Sequence, residues 1–237
     1  MILEGATSIK AALEAKKRVI KALYVDKKKR DRNLNYILFK AHEAGVPIHR
    51  VQREEIDALA LGKTHGGLLA DVSERKMDEL DIQNSSFLLV VEGVVDPFNF
   101  GYIVRTAYSA GVDGILMPEY HWHDLESVIL KSSAGAFDHC PIIQSKDLAG
   151  DLKLLKQKGF TVYAGYRHQA IVYDEADYTK PSILCVGGEL RGLSKQVLEQ
   201  VNQAVYIPYA NGFKNALNAA SACSVFCFEV LRQRRHH

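Results

Sequence analysis

The sequence predicts an α/β protein in two parts: a small N-terminal α/β domain, and a larger domain built on a mostly parallel sheet with helices on both faces. Short apolar runs alternate with segments of helical periodicity along the 237 residues, which is the pattern of a parallel sheet covered by helices. A polar stretch, "SERKMDELDIQNSS", interrupts that alternation and is typical of a linker. The predicted division is therefore a domain at residues 1–72, a linker at 73–86 and a domain at 87–237.

Three helices and three strands are predicted in the first domain. A helix is predicted over "SIKAALEAKK", with Thr7 or Ser8 as its cap, followed by the strand "VIKALYVD". An amphipathic helix, "NLNYILFKAHEAG", ends at Gly45, and Pro47 opens the short strand "PIHRV". The helix "REEIDALAL" and the strand "GGLLADV" complete the domain.

Five strands and four helices are predicted in the second domain. Its first strand, in "FLLVVEGVV", is an almost continuous apolar run, as expected of a strand that is buried on both faces. The strands are expected at residues 87–94, 114–118, 160–166, 182–188 and 204–208, and the helices at about 99–110, 147–158, 194–201 and 213–234.

The composition argues against several classes of protein. No apolar run approaches the roughly 20 residues of a membrane span, and the N-terminus lacks the basic and apolar regions of a secretion signal. The four cysteines have no CxxC or Cys/His ligand spacing. We therefore expect a cytoplasmic protein with no metal and no membrane association, and we expect Cys223 and Cys227 to pack in the core.

The basic residues are concentrated near the N-terminus. The net charge is only +2, but residues 1–50 hold 12 Lys or Arg against five Asp or Glu, many of them in "AKKRVIKALYVDKKKRDR". Such a run is usually a solvated surface. A basic first segment on a nearly neutral chain nevertheless favours a polyanionic partner, nucleic acid above all.

The segment "DPFNFGYIVRTA" is the first candidate site, because it reads as a strand, a tight turn and the start of a helix. Pro97 stiffens the turn and Asn99 is the expected N-cap. Gly101 lies four residues before Arg105 on one helix face, so the guanidinium is expected over the glycine and near the helix N-terminus. The segment predicts a pocket for a phosphate or a developing oxyanion; the alternative is a capped helix with a surface arginine.

The segment "ILCVGGELRGLS" is the second candidate site. Here an apolar strand runs into Gly187, Gly188, Glu189 and Gly192, and Ser194 is placed to cap the next helix. Glycines at a strand end allow a ligand to approach the backbone closely. The dinucleotide fingerprint is missing, and Glu189 has the alternative role of accepting hydrogen bonds from neighbouring backbone N–H groups.

The third candidate segment is "VYIPYANGFKNALNAASACSVFCFEVLRQRR". A strand ends at Ile207 and a polar loop leads into a helix of small residues, most of which are expected in the core. Leu217 and Asn218 at the helix start are exceptions. An asparagine in a position expected to be core needs partners, so Asn218 is predicted to bond either backbone or ligand.

In this order the three segments resemble the motifs of the SpoU/TrmH family of RNA 2′-O-methyltransferases, within the knotted SPOUT class. They are similar to the family patterns Asn-x-Gly-x-x-x-Arg-Thr-Ala, Gly-x-Glu-x-x-Gly-Leu, and Ile-Pro followed by Leu-Asn. "KSSAGAFDHCP" also resembles a family segment, and residues 1–72 resemble the small RNA-binding domain of many members. The matching residues are Asn99, Gly101, Arg105, Thr106, Ala107, Gly187, Glu189, Gly192, Leu193, Ile207, Pro208, Leu217 and Asn218.

The resemblance implies a methyltransferase that uses S-adenosylmethionine and acts on the ribose 2′-hydroxyl of structured RNA, ribosomal RNA in preference to transfer RNA. It also implies a C-terminal trefoil knot and a homodimer with its site at the subunit interface. The implied cofactor-binding residues are Gly187, Gly188, Gly192, Ile207 and Leu217, and the implied catalytic residues are Asn99, Arg105, Glu189 and Asn218.

Physical chemistry constrains the role that the resemblance gives to Arg105. An arginine stays protonated below a pH of about 12, so action as a general base is disfavoured. We expect Arg105 to hold the phosphate and to stabilise the forming alkoxide electrostatically, while Asn99 and Glu189 orient Arg105 or the ribose. Alignment of the oxygen, methyl and sulfur atoms would supply the rest of the rate acceleration.

The chain departs from the family pattern in its third segment. The family usually has Ser-Leu-Asn where this chain has Ala216 before Leu217, and the loop "YANGFKN" is one residue longer than usual. Asn215 or Asn218 is a candidate to replace the missing hydroxyl. The alternative hypothesis is an RNA-binding protein that retains the fold with weak or no methyltransferase activity.

Overall fold

The computed structural model describes residues 1–122, 125–212 and 215–235. The chain divides into two compact units. Residues 1–76 and 122–139 form the first, and residues 77–121 and 140–237 form the second. No pattern in the sequence indicates that residues 122–139 pack with the N-terminal segment; the predicted domain boundaries at 72 and 87 stay a prediction.

The N-terminal segment contains all six predicted elements and one further strand. Its elements are β1 (Ile2–Glu4), α1 (Ala6–Ala15), β2 (Ile20–Asp26), α2 (Arg32–Glu43), β3 (Ile48–Val51), α3 (Arg53–Leu59) and β4 (Leu68–Val72). The strands form a four-stranded sheet in the order β1-β4-β2-β3, with β4 antiparallel to β1 and β2, and β3 parallel to β2. The predicted cap of α1 is wrong, because the helix begins earlier, after Gly5 at a φ of 83°.

The rest of the chain supplies a seven-stranded sheet and six helices among the described residues. These elements are β5 (Phe87–Glu92), α4 (Pro97–Ser109), β6 (Gly114–Pro118), α5 (Glu126–Ser132), α6 (Ala136–His139), β7 (Ile142–Ser145), α7 (Leu148–Gln157), β8 (Thr161–Gly165), β9 (Ala170–Val172), β10 (Ser182–Gly187), α8 (Lys195–Leu198), β11 (Gln203–Tyr206) and α9 (Ala219–Arg234). Helices α5 and α6 belong to the first unit.

The large sheet confirms the predicted fold class. Its order is β7-β6-β5-β10-β8-β11-β9, and each of these pairings is parallel. On one face, Leu88 and Val90 pack in a core with residues of α7 and α8. On the other face lies α9, whose Phe226 sits against Gly165 of β8 and which packs against α4. The trefoil knot stays a prediction.

Two predicted helix starts in the second unit are also wrong. The α4 helix begins at Pro97 and is capped by Asp96, whose carboxylate accepts a hydrogen bond from the N–H of Asn99 at 2.7 Å. Asn99 is therefore a residue of the first turn. The final helix begins at Ala219 and not near 213, because the Asn218 side chain caps it through the N–H of Ser221 at 2.7 Å. Residues 213 and 214 lie outside the described residues.

A buried set of charges connects the two segments of the first unit. The guanidinium of Arg18, with a fully buried side chain, donates to both carboxylate oxygens of Asp138 at 2.8–3.1 Å and to Glu126 at 2.7 Å. Arg75 donates its backbone N–H to Glu126 and its Nε–H to the carbonyl of Phe137. Burial alone would lower the pKa of Arg18, but the hydrogen bond and charge of Asp138 and the charge of Glu126 raise it. This charge set holds α5 and α6 against the N-terminal segment.

The end of α9 is fixed to an irregular segment of the second unit. Gln233 donates to the carbonyl of Ala176 and accepts from the N–H of Tyr178, both at 2.9 Å. Glu229 receives hydrogen bonds from Gln233 and from Arg232. The bond from Arg232 lowers the pKa of Glu229; burial of the carboxylate opposes this shift, and the bond from Gln233 adds to it.

The described residues offer neither a helix that suits a membrane nor a cluster that suits a metal. No helix among residues 1–122, 125–212 and 215–235 is long and apolar enough to cross a membrane. Within the same ranges, no three or more His, Cys, Asp or Glu side chains are grouped so that they could hold a metal ion.

Candidate active site

A cavity of about 540 Å³ opens at the carboxyl ends of β8, β10 and β11, the end of a parallel sheet where ligands commonly bind. We call it the larger cavity. Its walls come from the residues that follow these three strands and from the start of α9. The five residues expected to bind a cofactor all line it: Gly187, Gly188, Gly192, Ile207 and Leu217.

Backbone packing explains why glycines form one wall of the larger cavity. A Cβ atom on Gly187 would lie 2.5 Å from the carbonyl carbon of Gly192, and one on Gly188 would collide with the carbonyl oxygen of Gly93. Gly192 has a φ of 64°, in the left-handed region that favours glycine. The glycines are therefore required because main chain packs directly on main chain in this bend.

Glu92, at the end of β5, secures the same bend, and the sequence patterns did not single it out. Its carbonyl oxygen accepts a hydrogen bond from the N–H of Gly188, and its carboxylate accepts one from the N–H of Ser194, both at 2.7 Å. Ser194 caps α8 through the N–H of Val197, as predicted. Beneath the bend, burial followed by the charge of Glu92 raises the pKa of Cys185, which keeps this thiol neutral.

A smaller cavity of about 120 Å³ lies at the end of β5. Asn99 and Glu189 both line it, and Glu189 and Gly188 line the larger cavity as well. The structure thus brings two of the four predicted catalytic residues, Asn99 and Glu189, to the smaller cavity. The Asn99 side chain has no hydrogen-bond partner among the described residues, so its amide is available to a ligand.

Arg105 is not part of either cavity within this chain. Its side chain is exposed on the outer face of α4, where Phe98 and Tyr102 are also exposed, at 54% and 49%. Asn218 does not line the cavities either; its amide oxygen caps α9, so the predicted bond to backbone is confirmed. Leu217 and Ala219, on either side of Asn218, do line the larger cavity.

Two residues of the larger cavity carry no signal in the sequence patterns. The guanidinium of Arg167, after β8, lies 4.7 Å from the ring centroid of Tyr209, after β11. The Tyr209 hydroxyl accepts a hydrogen bond from the N–H of Leu217 at 2.8 Å. Arg167 and Tyr209 are 42 residues apart in sequence and follow two different strands, so no local pattern identifies this contact.

The fold and the cavities define an α/β protein with a cavity of ligand size at the carboxyl ends of its strands and a smaller cavity that shares part of the same lining. Residues 86–228 match the SpoU rRNA methylase family, and residues 2–77 match the RNA 2′-O ribose methyltransferase substrate-binding domain. The chain belongs to the SpoU rRNA methylase family.

Individual relatives agree with this assignment. The chain is 30% identical over 240 residues to the 23S rRNA (guanosine-2′-O-)-methyltransferase RlmB of Yersinia pestis, with 98% of this chain and 97% of the relative covered. It is 31% identical over 241 residues to RlmB of Pseudomonas putida, with 98% and 96% covered.

Solved structures share the fold along almost the whole chain. A crystal structure of an RNA 2′-O ribose methyltransferase superposes with a TM-score of 0.82 at 24% identity and covers 99% of this chain and 89% of the other. The SpoU methyltransferase AviRb from Streptomyces viridochromogenes, in complex with AdoMet, superposes with a TM-score of 0.80 at 23% identity and covers 99% and 90%.

The protein is therefore a methyltransferase that modifies the ribose 2′-hydroxyl of RNA, with S-adenosylmethionine as the methyl donor. The larger cavity fits this donor. Its apolar wall, which includes Ile207, Leu217 and Phe226, suits a purine ring. Glu189 lines both cavities, and its carboxylate is of the sign that attracts a positive sulfonium.

Proposed function

We propose that this enzyme methylates a ribose in ribosomal RNA in the cytoplasm, with the donor in the larger cavity and the target ribose at the smaller one. The names of the RlmB relatives favour ribosomal RNA over transfer RNA. The observation that carries the placement is the pair of adjoining cavities that share Gly188 and Glu189. Donor and acceptor would then meet at that border.

The proposed roles of the residues follow from this placement. S-adenosylmethionine supplies an electrophilic methyl group when bound. The Asn99 amide would hold a ribose hydroxyl by donating or accepting a hydrogen bond, and Glu189 would orient the ribose or Arg105. Arg105, which stays protonated, would stabilise the negative charge on the 2′-oxygen as its proton leaves. Asn218 would fix the start of α9 beside Leu217.

We further propose that the enzyme is a homodimer and that Arg105 acts in the site of the other subunit. Phe98, Tyr102 and Arg105 follow at i, i+4 and i+7 on the exposed face of α4. Large exposed aromatic side chains at helical spacing are typical of an interface. A second copy that covered this face would bury the aromatic rings and bring Arg105 close to a ribose outside its own chain.

The N-terminal unit would bind the RNA through the loop after β2. Lys27, Lys28 and Arg30 are exposed in this loop, and Arg32 is exposed at the first position of α2. Arg18, although it belongs to the same basic segment of the sequence, is buried against Asp138 and is not available to phosphates. The RNA-binding charge would therefore lie at the β2–α2 loop.

The first experiment measures transfer of labelled methyl from S-adenosylmethionine to ribosomal and transfer RNA lacking the modification. We expect labelling of ribosomal RNA, and we expect Arg105→Ala to abolish it while donor binding, followed by calorimetry, stays unchanged. Labelling of transfer RNA alone would contradict the proposed substrate. Donor binding without labelling of either RNA would favour a protein that retains the fold without activity, in line with Ala216 at the cavity wall.

A second experiment tests the shared site. Arg105→Ala chains would be mixed with Leu217→Trp chains, in which the larger side chain would fill the cavity. If Arg105 serves the other subunit, each mixed dimer has one complete site of two. Because random exchange in an equimolar mixture makes about half of the dimers mixed, about a quarter of the wild-type activity should return. If Arg105 serves its own chain, neither site is complete and the mixture stays inactive.

A further inference from the structure

Arg167 occupies one end of the larger cavity and also lines a third cavity, of about 350 Å³, together with Tyr209. The side chain is exposed, and no carboxylate among the described residues lies within ion-pair distance of its guanidinium. A cation that lines a ligand cavity without a counter-ion in the protein is available to an anionic group of the ligand.

Tyr209 holds this cation in place. Arginine stacks on an aromatic ring through its flat face, which leaves the N–H groups at its edge able to donate. The ring itself is fixed, because the Tyr209 hydroxyl accepts a hydrogen bond from the N–H of Leu217 in the cavity wall. The stack therefore presents an ordered, charged donor to the cavity.

The strand order places Arg167 away from the acceptor. The smaller cavity, with Asn99, lies at the end of β5, and Arg167 follows β8, with β10 between these two strands. The methionyl part of the donor carries a positive sulfonium and, a few bonds away, a negative α-carboxylate. A fixed cation at the β8 end attracts the carboxylate and repels the sulfonium, so it favours the orientation that directs the methyl group to the acceptor.

We propose that Arg167, stacked on Tyr209, binds the α-carboxylate of the methyl donor and thereby sets the direction of the sulfonium. The inference rests on the proposed placement of the donor in the larger cavity. Arg191 also lines this cavity but lies on the bend beside Glu189, and no aromatic ring of the described residues stacks on it. It is therefore a matched control for the removal of a positive charge.

The test compares two ligands by calorimetry on the full chain. S-adenosylhomocysteine and 5′-methylthioadenosine share the adenosine and a neutral thioether, but only the first carries the amino-acid group. Arg167→Met should weaken binding of S-adenosylhomocysteine roughly tenfold, the order expected for a charge-assisted hydrogen bond at a partly exposed site, and should leave methylthioadenosine unchanged. Arg191→Met should leave the ratio of the two dissociation constants as in the wild type.

Several outcomes would overturn the inference. If Arg167→Met weakened the binding of both ligands equally, the variant would have damaged the cavity in general. Unchanged binding of both, with weaker RNA binding, would assign the guanidinium to RNA. Tyr209→Phe keeps the ring and removes the bond to Leu217 that fixes it, so it should weaken binding of S-adenosylhomocysteine selectively, but less than Arg167→Met does. Equal weakening of the binding of both ligands by Tyr209→Phe would show that this bond supports the cavity wall and not the guanidinium. A wild type that bound neither ligand would refute the placement of the donor itself.

Discussion

Arg18 offers a sharp test of how the first unit is held together. We predict that Arg18→Met destabilises this unit far more than removal of an exposed cation. The Arg18 guanidinium makes four hydrogen bonds to carboxylates, at 2.7–3.1 Å, and its side chain is fully buried, as is that of Asp138. Removing this cation leaves Asp138 with Arg75, whose Nε lies 4.0 Å from the carboxylate, and leaves Glu126 with the backbone N–H of Arg75.

The expected loss in the free energy of unfolding follows from the cost of leaving a buried charge without its partner. Breaking a buried ion pair by removing one partner typically costs about 3–5 kcal/mol, which is a large part of the roughly 5–15 kcal/mol that stabilises a domain. The matched control is Lys40→Met. The Lys40 Nζ also lies 2.8 Å from a carboxylate, that of Glu43, but both side chains are at least one-third exposed, so little change is expected.

The assay is urea denaturation followed by tryptophan fluorescence. Trp122 is the one tryptophan of the chain, is buried and belongs to the first unit, so its emission reports the unfolding of that unit. Arg18→Met should strongly lower the urea concentration at the unfolding midpoint. It should change the slope of the free energy of unfolding against urea concentration only a little. The double variant Arg18→Met/Asp138→Leu removes one charge of each sign and should be less destabilised than the sum of the single variants. Equal effects of Arg18→Met and Lys40→Met would refute the reasoning.

Three further predictions concern the site, the RNA surface and the end of α9. Gly188→Ala should abolish donor binding in calorimetry because its Cβ meets main chain, whereas Gly212→Ala, which has open space around it, should bind normally. Replacing Lys27 and Lys28 with Gln should weaken RNA binding and reduce the slope of log affinity against log salt by about 0.9 for each phosphate that is no longer neutralised. Because the pKa of Glu229 is lowered in the folded state, its stabilising effect is present above the ordinary carboxylate range and is lost as the pH falls through the folded-state value. The difference in unfolding midpoint between the wild type and Glu229→Gln should therefore shrink below about pH 4.

Local patterns predicted the large sheet well. The apolar runs that end in glycine or proline identified β5, β6, β8, β10 and β11, because strands buried on both faces need little beyond such a run. Two strands were missed: β7 has four residues next to a proline, and β9 has three in a polar setting at the sheet edge. Segments of three or four residues are too short to show the alternation of apolar and polar side chains that indicates a strand.

The candidate site was predictable where its residues are close in sequence. The bend at Gly187–Gly192 and the start of α9 each combine special residues within a few positions. The cap of α4 was assigned to Asn99 instead of Asp96 because both residue types cap helices; the proline at the first helical position selects Asp96. The carboxylate of Glu92, which joins β5 to the bend, depends on strand order, which a sequence pattern does not contain.

The position of Arg105 is the main structural argument for the proposed homodimer. Successive residues of an α-helix are rotated by about 100°, so Ile103, Val104 and Ala107 of α4 define one side, and Arg105 lies about 150° from its centre. All three of these residues are fully buried. The helix thus packs through the side opposite Arg105, and this orientation keeps the guanidinium away from the core against which its own chain forms the cavities. A ribose that meets Arg105 must approach from the outer side of α4, and a subunit docked on the exposed aromatic rings of that side would supply the remaining residues of the site.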